Sequence, residues 1–521
     1  MSYTTGTKVV CALLVVGLTA KIITRARARK GKEPYPPGPP PLPLLGNVLD
    51  INVDHPWLTY TEWSATYGDL IFTQILNQHI VVIGSEHVAK ALLDKRSQIY
   101  SGRPLGLVPI NELFGVGFSS IFMPYNDLWR LHRRLFHQAF RADAAPSFRP
   151  IQMRKSHQLL LNILSTPDNF AAHLQTLSTS IIMAIVYDYE TAASDDPIVE
   201  TVKRALELVI EEIRPEVTAI LSLFPILKHI PAWFPGARFK RKALLSRKYA
   251  SEWKETPFQY VKSQMALENA APSMVSDALR KIEGKDESGH MERAIKESAA
   301  SSFAAASETT FSVLMVFALA MVLNPDVQAK AQAEIDSAVG FDRLPDWDDR
   351  PLLPYVDAII RETLRWHPVV PLGIPHAAVD DDIYEGQFIP KGATVMANAW
   401  AMSQNPEKYP NPSEFNPERF FLPSGELNDD LVGFAFGFGR RVCVGRHVAD
   451  ASLWAAIVNM LAVFSFQKLR DEEGKVVEFE PKWSAGVTTH PEPFPCMIVP
   501  RSKTLDVTKL TEFIQAIDVI D

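Results

Sequence analysis

Residues 436–445 read Phe-Gly-Phe-Gly-Arg-Arg-Val-Cys-Val-Gly, a glycine-rich loop with one cysteine, Cys443, directly after two arginines and before an apolar helix from His447 onward. Glycines permit close backbone approach to a flat ligand. The loop amides and the helix N-terminus favour a thiolate, the form of cysteine that ligates metal. The chain has three cysteines, Cys11, Cys443 and Cys496, too few and too far apart for a disulfide framework or a zinc ribbon, so metal chemistry rests on one sulfur. Taken alone, a loop cysteine is more often structural than a ligand. Glu308 and Thr309 place a carboxyl and a hydroxyl in an apolar helix, where polar groups are costly unless satisfied or used. Proton transfer is one use; a threonine bonded back to the carbonyl one turn earlier is the structural alternative. Glu362 and Arg365 share a helix face and can form a charge-assisted pair.

The loop resembles the heme-binding signature F-x-x-G-x-R-x-C-x-G of the cytochrome P-450 monooxygenases at every fixed position. Glu362-Thr363-Leu364-Arg365 is similar to that family's E-x-x-R motif, and Phe415-Asn416-Pro417-Glu418-Arg419-Phe420 to its P-E-R-F segment, in the order the family requires. Trp129-Arg130-Leu131-His132-Arg133 resembles its W-x-x-x-R helix. The resemblance runs from Pro36 to Pro500, nearest to fungal microsomal members of the O-methylsterigmatocystin oxidoreductase-like and tryptamine-hydroxylase-like kinds. It implies heme b with Cys443 as proximal thiolate and Phe436 packed beside the sulfur. It also implies that Gly445 belongs to the heme loop, that Arg441, Trp129, Arg133 and His376 reach the propionates, and that Arg419 joins Glu362 and Arg365 in support. Glu308 and Thr309 become the distal acid-alcohol pair that supplies protons. A thiolate ligand pushes electron density onto iron and suits oxygenases. Two positions depart from the usual pattern: Ala306 stands where relatives carry glycine, and Val444 where many carry proline.

Helical periodicity dominates the elements that must hold these residues. Helices are expected from Ser85 to about Leu93, over Val199–Ile213 and Trp454–Phe464, and along Met291–Asn324, about 50 Å at 1.5 Å per residue and stopped by Pro325. The apolar Phe311–Leu323 stretch of that helix is too short to span a membrane and reads as core. Runs 70–75 and 79–84, separated by Asn77-Gln78, suggest a hairpin, and short strands are expected at Gln387–Ile389, Thr394–Met396 and Val476–Phe479. The fold class is mainly α with small β-sheets, the cytochrome P-450 fold, in a single large heme-binding domain over residues 46–501. A C-terminal appendage covers residues 502–521.

With 521 residues and 47 % apolar side chains, the chain can bury a large core. Its net charge of -7 is uneven: the first 32 residues hold seven Lys or Arg and no acid, leaving 46 basic against 60 acidic side chains. An acidic body argues against nucleic acid as a partner. Val9–Ala20 is apolar or small throughout, and Thr4–Thr24 as a helix, about 32 Å long, just spans a hydrocarbon core. Basic residues from Arg25 to Lys32 then place the body in the cytoplasm. Residues 1–33 are thus a single-pass membrane anchor with its basic flank and residues 34–45 a proline-rich hinge. The rivals are a cleaved signal peptide, opposed by the basic cluster, and an ordinary buried helix.

The implied reaction inserts one oxygen atom of O2 into a hydrophobic organic substrate at the endoplasmic reticulum membrane, in fungal secondary or xenobiotic metabolism. No glycine-rich dinucleotide fingerprint follows a strand, so electrons come from a separate NADPH-cytochrome P-450 reductase, for which Arg130 and Arg134 offer a basic docking face. Candidate lining residues by resemblance are Leu107, Phe114, Phe118, Phe122, Phe303, Ser307, Val370, Leu372 and Val487. The alternatives are a heme-thiolate peroxide isomerase or dehydratase and a non-catalytic heme ligand-binding protein. Glu308-Thr309 favours the monooxygenase, because peroxide-rearranging relatives commonly lack the pair.

Overall fold

The computed structural model describes residues 33–518, apart from 77, 105–106, 193–195, 211–228, 235–236, 285–287 and 503. The anchor expected at Thr4–Thr24, Asn77 of the hairpin, the end of the helix expected to Ile213 and the side chain of Leu107 lie outside that description.

Among the described residues, twelve helices of nine residues or more carry the fold. They are α1 (Pro56–Tyr67), α2 (Asp127–Phe140), α3 (Arg149–Ser165), α4 (Phe170–Tyr187), α5 (Pro197–Ile210), α6 (Arg238–Ala266), α7 (Met274–Ile282), α8 (Ser288–Leu323), α9 (Pro325–Ala338), α10 (Pro354–Trp366), α11 (Arg446–Val463) and α12 (Val507–Asp518). Pro325 both ends α8 and begins α9, since proline lacks the N–H that a continuing helix needs but is tolerated at a first turn. α8 is about 54 Å long at 1.5 Å per residue and packs against α2, α4, α6, α7, α10 and α11. From Val313 to Val322 its side chains are all buried. This stretch is therefore core, as its length in the sequence suggested; α4, the other long apolar helix, is likewise packed inside.

A four-stranded sheet lies at one side in the order β1-β2-β6-β3. β1 (Leu70–Ile75) and β2 (Gln78–Ile83) form the antiparallel hairpin, with Leu70 opposite Ile83. β6 (Thr394–Ala397) joins β2 in parallel, Ile80 beside Thr394, and β3 (His376–Ala377) pairs antiparallel with β6. β4 (Asp382–Tyr384) and β5 (Gln387–Ile389) make a second hairpin, turned at Glu385-Gly386, both with positive φ.

Three expectations are corrected. Val476–Phe479 forms no named strand: Val476 makes a single bridge to Arg470, across a tight turn closed by Asp471 and Lys475. The paired strands there are β7 (Phe464–Lys468) and β8 (Cys496–Pro500), so Phe464 begins a strand instead of ending a helix. Ser85 does cap a helix, its hydroxyl accepting from Val88 N–H, but after Ala89 the chain widens into a π turn through Asp94. In the C-terminal segment, Leu510 of α12 is fully buried and α12 packs on α3.

Candidate active site

Cys443 lies one turn before α11, on a loop held from three directions. Gly439 has φ +61°, and a Cβ there would stand 1.9 Å from the Leu93 carbonyl oxygen, so the close crossing of the two segments requires glycine. The Cys443 N–H donates to the Phe436 carbonyl at 2.8 Å, which closes the loop's backbone on itself. Arg133 Nη2 donates to the Val442 carbonyl at 2.6 Å, tying α2 to the loop. Cys443 is accessible to solvent, although protein closes around the sulfur. Burial pushes the thiol up from its ordinary range, against the Gly445 and Arg446 amides and the charge of Arg133, which all favour the thiolate. Burial outweighs them, and a bound cation is what would secure the thiolate.

The opposite wall is the middle of α8. Ala305 is exposed and residues 304 and 306–310 are partly so, although the helix on either side is buried. Thr309 Oγ1 donates to the Ala305 carbonyl at 2.7 Å, the structural bond anticipated for it. Burial pushes the Glu308 carboxyl up, opposed first by His490 and then by Lys203 of α5. Ser307 turns away from this wall: its hydroxyl meets Gln175 Nε2 at 3.1 Å and Thr179 Oγ1 at 3.0 Å on α4. Phe114, Phe118 and Phe303 are packed in the main core. Leu372 packs on the smaller core beside the sheet, leaving Phe122, Val370 and Val487 as partly exposed members of the expected lining.

Beside the loop, three guanidiniums converge without a carboxylate partner among the described residues. Arg441 donates to the carbonyls of Ser101 at 2.9 Å, Met123 at 2.9 Å and Ser120 at 3.3 Å, and lies 4.4 Å from the Trp129 ring centre. Arg103 donates to Ile121, Ile374 and Pro375 carbonyls. Burial pulls Arg133 and Arg441 down to about 10, and burial with Arg441 alongside pulls Arg103 well below its ordinary value. A guanidinium stays charged in proteins, so this cluster calls for an anion. The two carboxylates of a heme fit that demand, and the thiol, the glycine loop and the accessible face of α8 fit the rest.

His376 is buried, with Nδ1 2.7 Å from the Tyr100 carbonyl. A carbonyl only accepts, so the proton is on Nδ1, and Nε2 can donate to a carboxylate only as imidazolium. Burial, with Arg103 alongside, holds the ring down to about 3 in the protein alone, and an anion beside it would raise that value. Sequence reasoning passed over Arg103 in Ser101-Gly102-Arg103-Pro104, where a lone arginine in a turn carries no signal of its own.

Behind the loop, Glu362 and Arg365 are both fully buried, paired at 2.6 and 2.7 Å. Arg419 Nε adds a third contact to Glu362 at 3.1 Å. The expected triad is therefore assembled. Arg130 and Arg134 are exposed on α2, with Arg130 paired to Asp127.

A model of the cytochrome P450 family matches residues 36–497. A cytochrome P450 monooxygenase of Rhodocybe pseudopiperita is 38 % identical over 479 residues, covering 91 % of each chain. One from Postia placenta is 37 % identical over 501 residues, 95 % of this chain and 96 % of the relative. A tryptamine 4-monooxygenase of Psilocybe cyanescens is 36 % identical over 501 residues, 95 % of this chain and 98 % of the relative.

Proposed function

Because the chain belongs to the cytochrome P450 family and is a heme-thiolate monooxygenase, we propose a division of that work among its own residues. Cys443 would hold the heme iron through its thiolate. Arg103, Arg133, Arg441 and Trp129 would bind the propionates, with His376 joining as imidazolium. Bound heme would supply the activation of O2, one atom of which enters the substrate while the other leaves as water. Glu308 holds and releases a proton at its carboxyl, and Thr309 hands it inward after its hydroxyl rotates off the Ala305 carbonyl. Glu362, Arg365 and Arg419 fix the segment that leads to the cysteine loop.

The observation that carries this assignment is the cluster of one buried and two half-buried guanidiniums without a carboxylate partner among the described residues, next to the exposed Cys443. Replacing Cys443 with His tests it. The reduced, CO-bound protein should lose the thiolate-type Soret position; a folded variant that keeps it sinks the assignment.

Phe122, Val370 and Val487 support a hydrophobic substrate, since apolar walls with few polar groups favour such ligands. Exposed Arg130 and Arg134 lie on the helix that also touches the cysteine loop, which supports this face as the dock for NADPH-cytochrome P450 reductase. The apolar run Val9–Ala20 and the basic cluster after it support a single-pass anchor in the endoplasmic reticulum membrane with the body in the cytoplasm.

A further inference from the structure

A carboxyl that gives up a proton in every turnover needs a group that returns one. Next to Glu308 the structure places His490, on a segment far from α8 in sequence. That segment is pinned: Thr489 N–H donates to the Val369 carbonyl at 2.8 Å, His490 N–H to Ser484 Oγ at 3.0 Å, and Ser484 N–H to the His490 carbonyl at 2.9 Å. The imidazole packs edge-on against Phe311, one turn along α8 from Glu308, with ring centres 5.3 Å apart. Its Nδ1 lies 2.9 Å from the Pro491 carbonyl, which can only accept, so this nitrogen keeps its proton. The nitrogen free to gain and lose a proton is Nε2, and it stands 4.0 Å from Glu308 Oε1. Both side chains are partly open, 26 % for His490 and 38 % for Glu308, so the pair meets water. The other charge acting on Glu308 is Lys203 of α5.

We propose that His490 recharges Glu308. Its Nε2 takes a proton from water on the open side and passes it to the Glu308 carboxylate, through one bridging water or a small rotation of either side chain. The N–H bond broken on His490 is balanced by the O–H bond formed on Glu308, and solvent restores the imidazolium, so no oxidant or reductant is involved. His490 acts through Glu308 and is a positioning residue in this scheme. The inference rests on reading Glu308 as a proton donor, and the test separates the two.

The variants are His490→Gln and, should that fold poorly, His490→Asn; neither amide can relay a proton as an imidazolium does. Both should keep the thiolate-type CO spectrum. The first readout needs no turnover: an infrared pH titration of the carboxyl C=O band that Glu308→Gln removes. Without the imidazolium, that band should persist to higher pH than in the wild type. The second is product formed per NADPH consumed with purified reductase, expected to fall about tenfold, less than the roughly hundredfold or more for losing a positioned proton donor outright, because Lys203 and water remain. An unmoved carboxyl band with wild-type coupling in the His490 variants, while Glu308→Gln uncouples, overturns the role of His490 and leaves that of Glu308 standing. Wild-type coupling in Glu308→Gln removes both.

Discussion

Replacing Arg365 with lysine puts a number on the support behind the cysteine loop. The guanidinium uses all five of its N–H donors: Nε and Nη2 on Glu362 at 2.7 and 2.6 Å, Nη1 on the Ser403 and Pro412 carbonyls at 3.2 and 2.6 Å, and Nη2 again on the Glu414 carbonyl at 3.0 Å. Lysine has three donors, so at least two of these five bonds go, in a place where residue 365 is fully buried. Glu362 Oε1 and the Glu414 carbonyl keep Arg419 as a donor, and each buried acceptor left unpaired costs about 1–3 kcal/mol, giving up to about 6 kcal/mol for the variant. Against a total of about 5–15 kcal/mol that is a large fraction. The charge is kept throughout, so the loss measures geometry. Arg361→Lys, one turn earlier, is the control: a single nitrogen serves the Asn428 and Asp430 carbonyls, which an ammonium can replace, and its expected cost is below about 1 kcal/mol. Urea titrations followed by far-ultraviolet circular dichroism and by the Soret band would compare them. If Arg365→Lys unfolds at the same urea concentration as Arg361→Lys, the five-bond account is wrong.

His132 and His367 are buried, and burial holds them down to about 4 and about 3. Unfolded imidazoles take up protons below about pH 6.5, so stability present above that value should drain away as pH falls toward 4, at up to about 1.4 kcal/mol per unit for each residue. Urea midpoints measured across this range check it; a flat profile, or an unchanged slope in His132→Gln, contradicts it. Thr309→Ala should keep heme and NADPH consumption but send reducing equivalents to peroxide, and peroxide assayed beside product would show wild-type coupling if the hydroxyl only braces the helix through Ala305. A chain beginning at Pro36 should bind heme and lose most of its tight membrane attachment, and release of the full-length chain from membranes by alkaline carbonate would count against an integral anchor.

What the sequence made legible was local. Glu362 and Arg365 are three residues apart on one helix, so their pairing follows from helix geometry, and the Cys443 loop carries its glycines in series with its cysteine. Arg103 acquires meaning only when distant turns bring it beside Arg441, and His490 only when its segment crosses α8. Ser307 differs from the expected lining through rotation: it is on the expected helix, but a turn holds residues for several faces, and a hydroxyl of α4 meets this one. Phe464–Lys468 hid as a strand because its apolar residues continue the pattern of α11, and its partner lies beyond a long irregular stretch.

The parallel pairing of β2 with β6 sets an order on how the molecule comes into being. Ile80 can find Thr394 only after the helices between them have been made, and at about 5–20 residues per second on the ribosome the hairpin waits roughly 15–60 s for its neighbour. Through that interval Ile80, Val81, Val82 and Ile83 stand along an unfilled sheet edge, a template for pairing with another nascent chain. Yield in cells should therefore depend on how quickly synthesis passes Ala397 and on chaperones that shield β2 until then, more than on the final strength of the sheet.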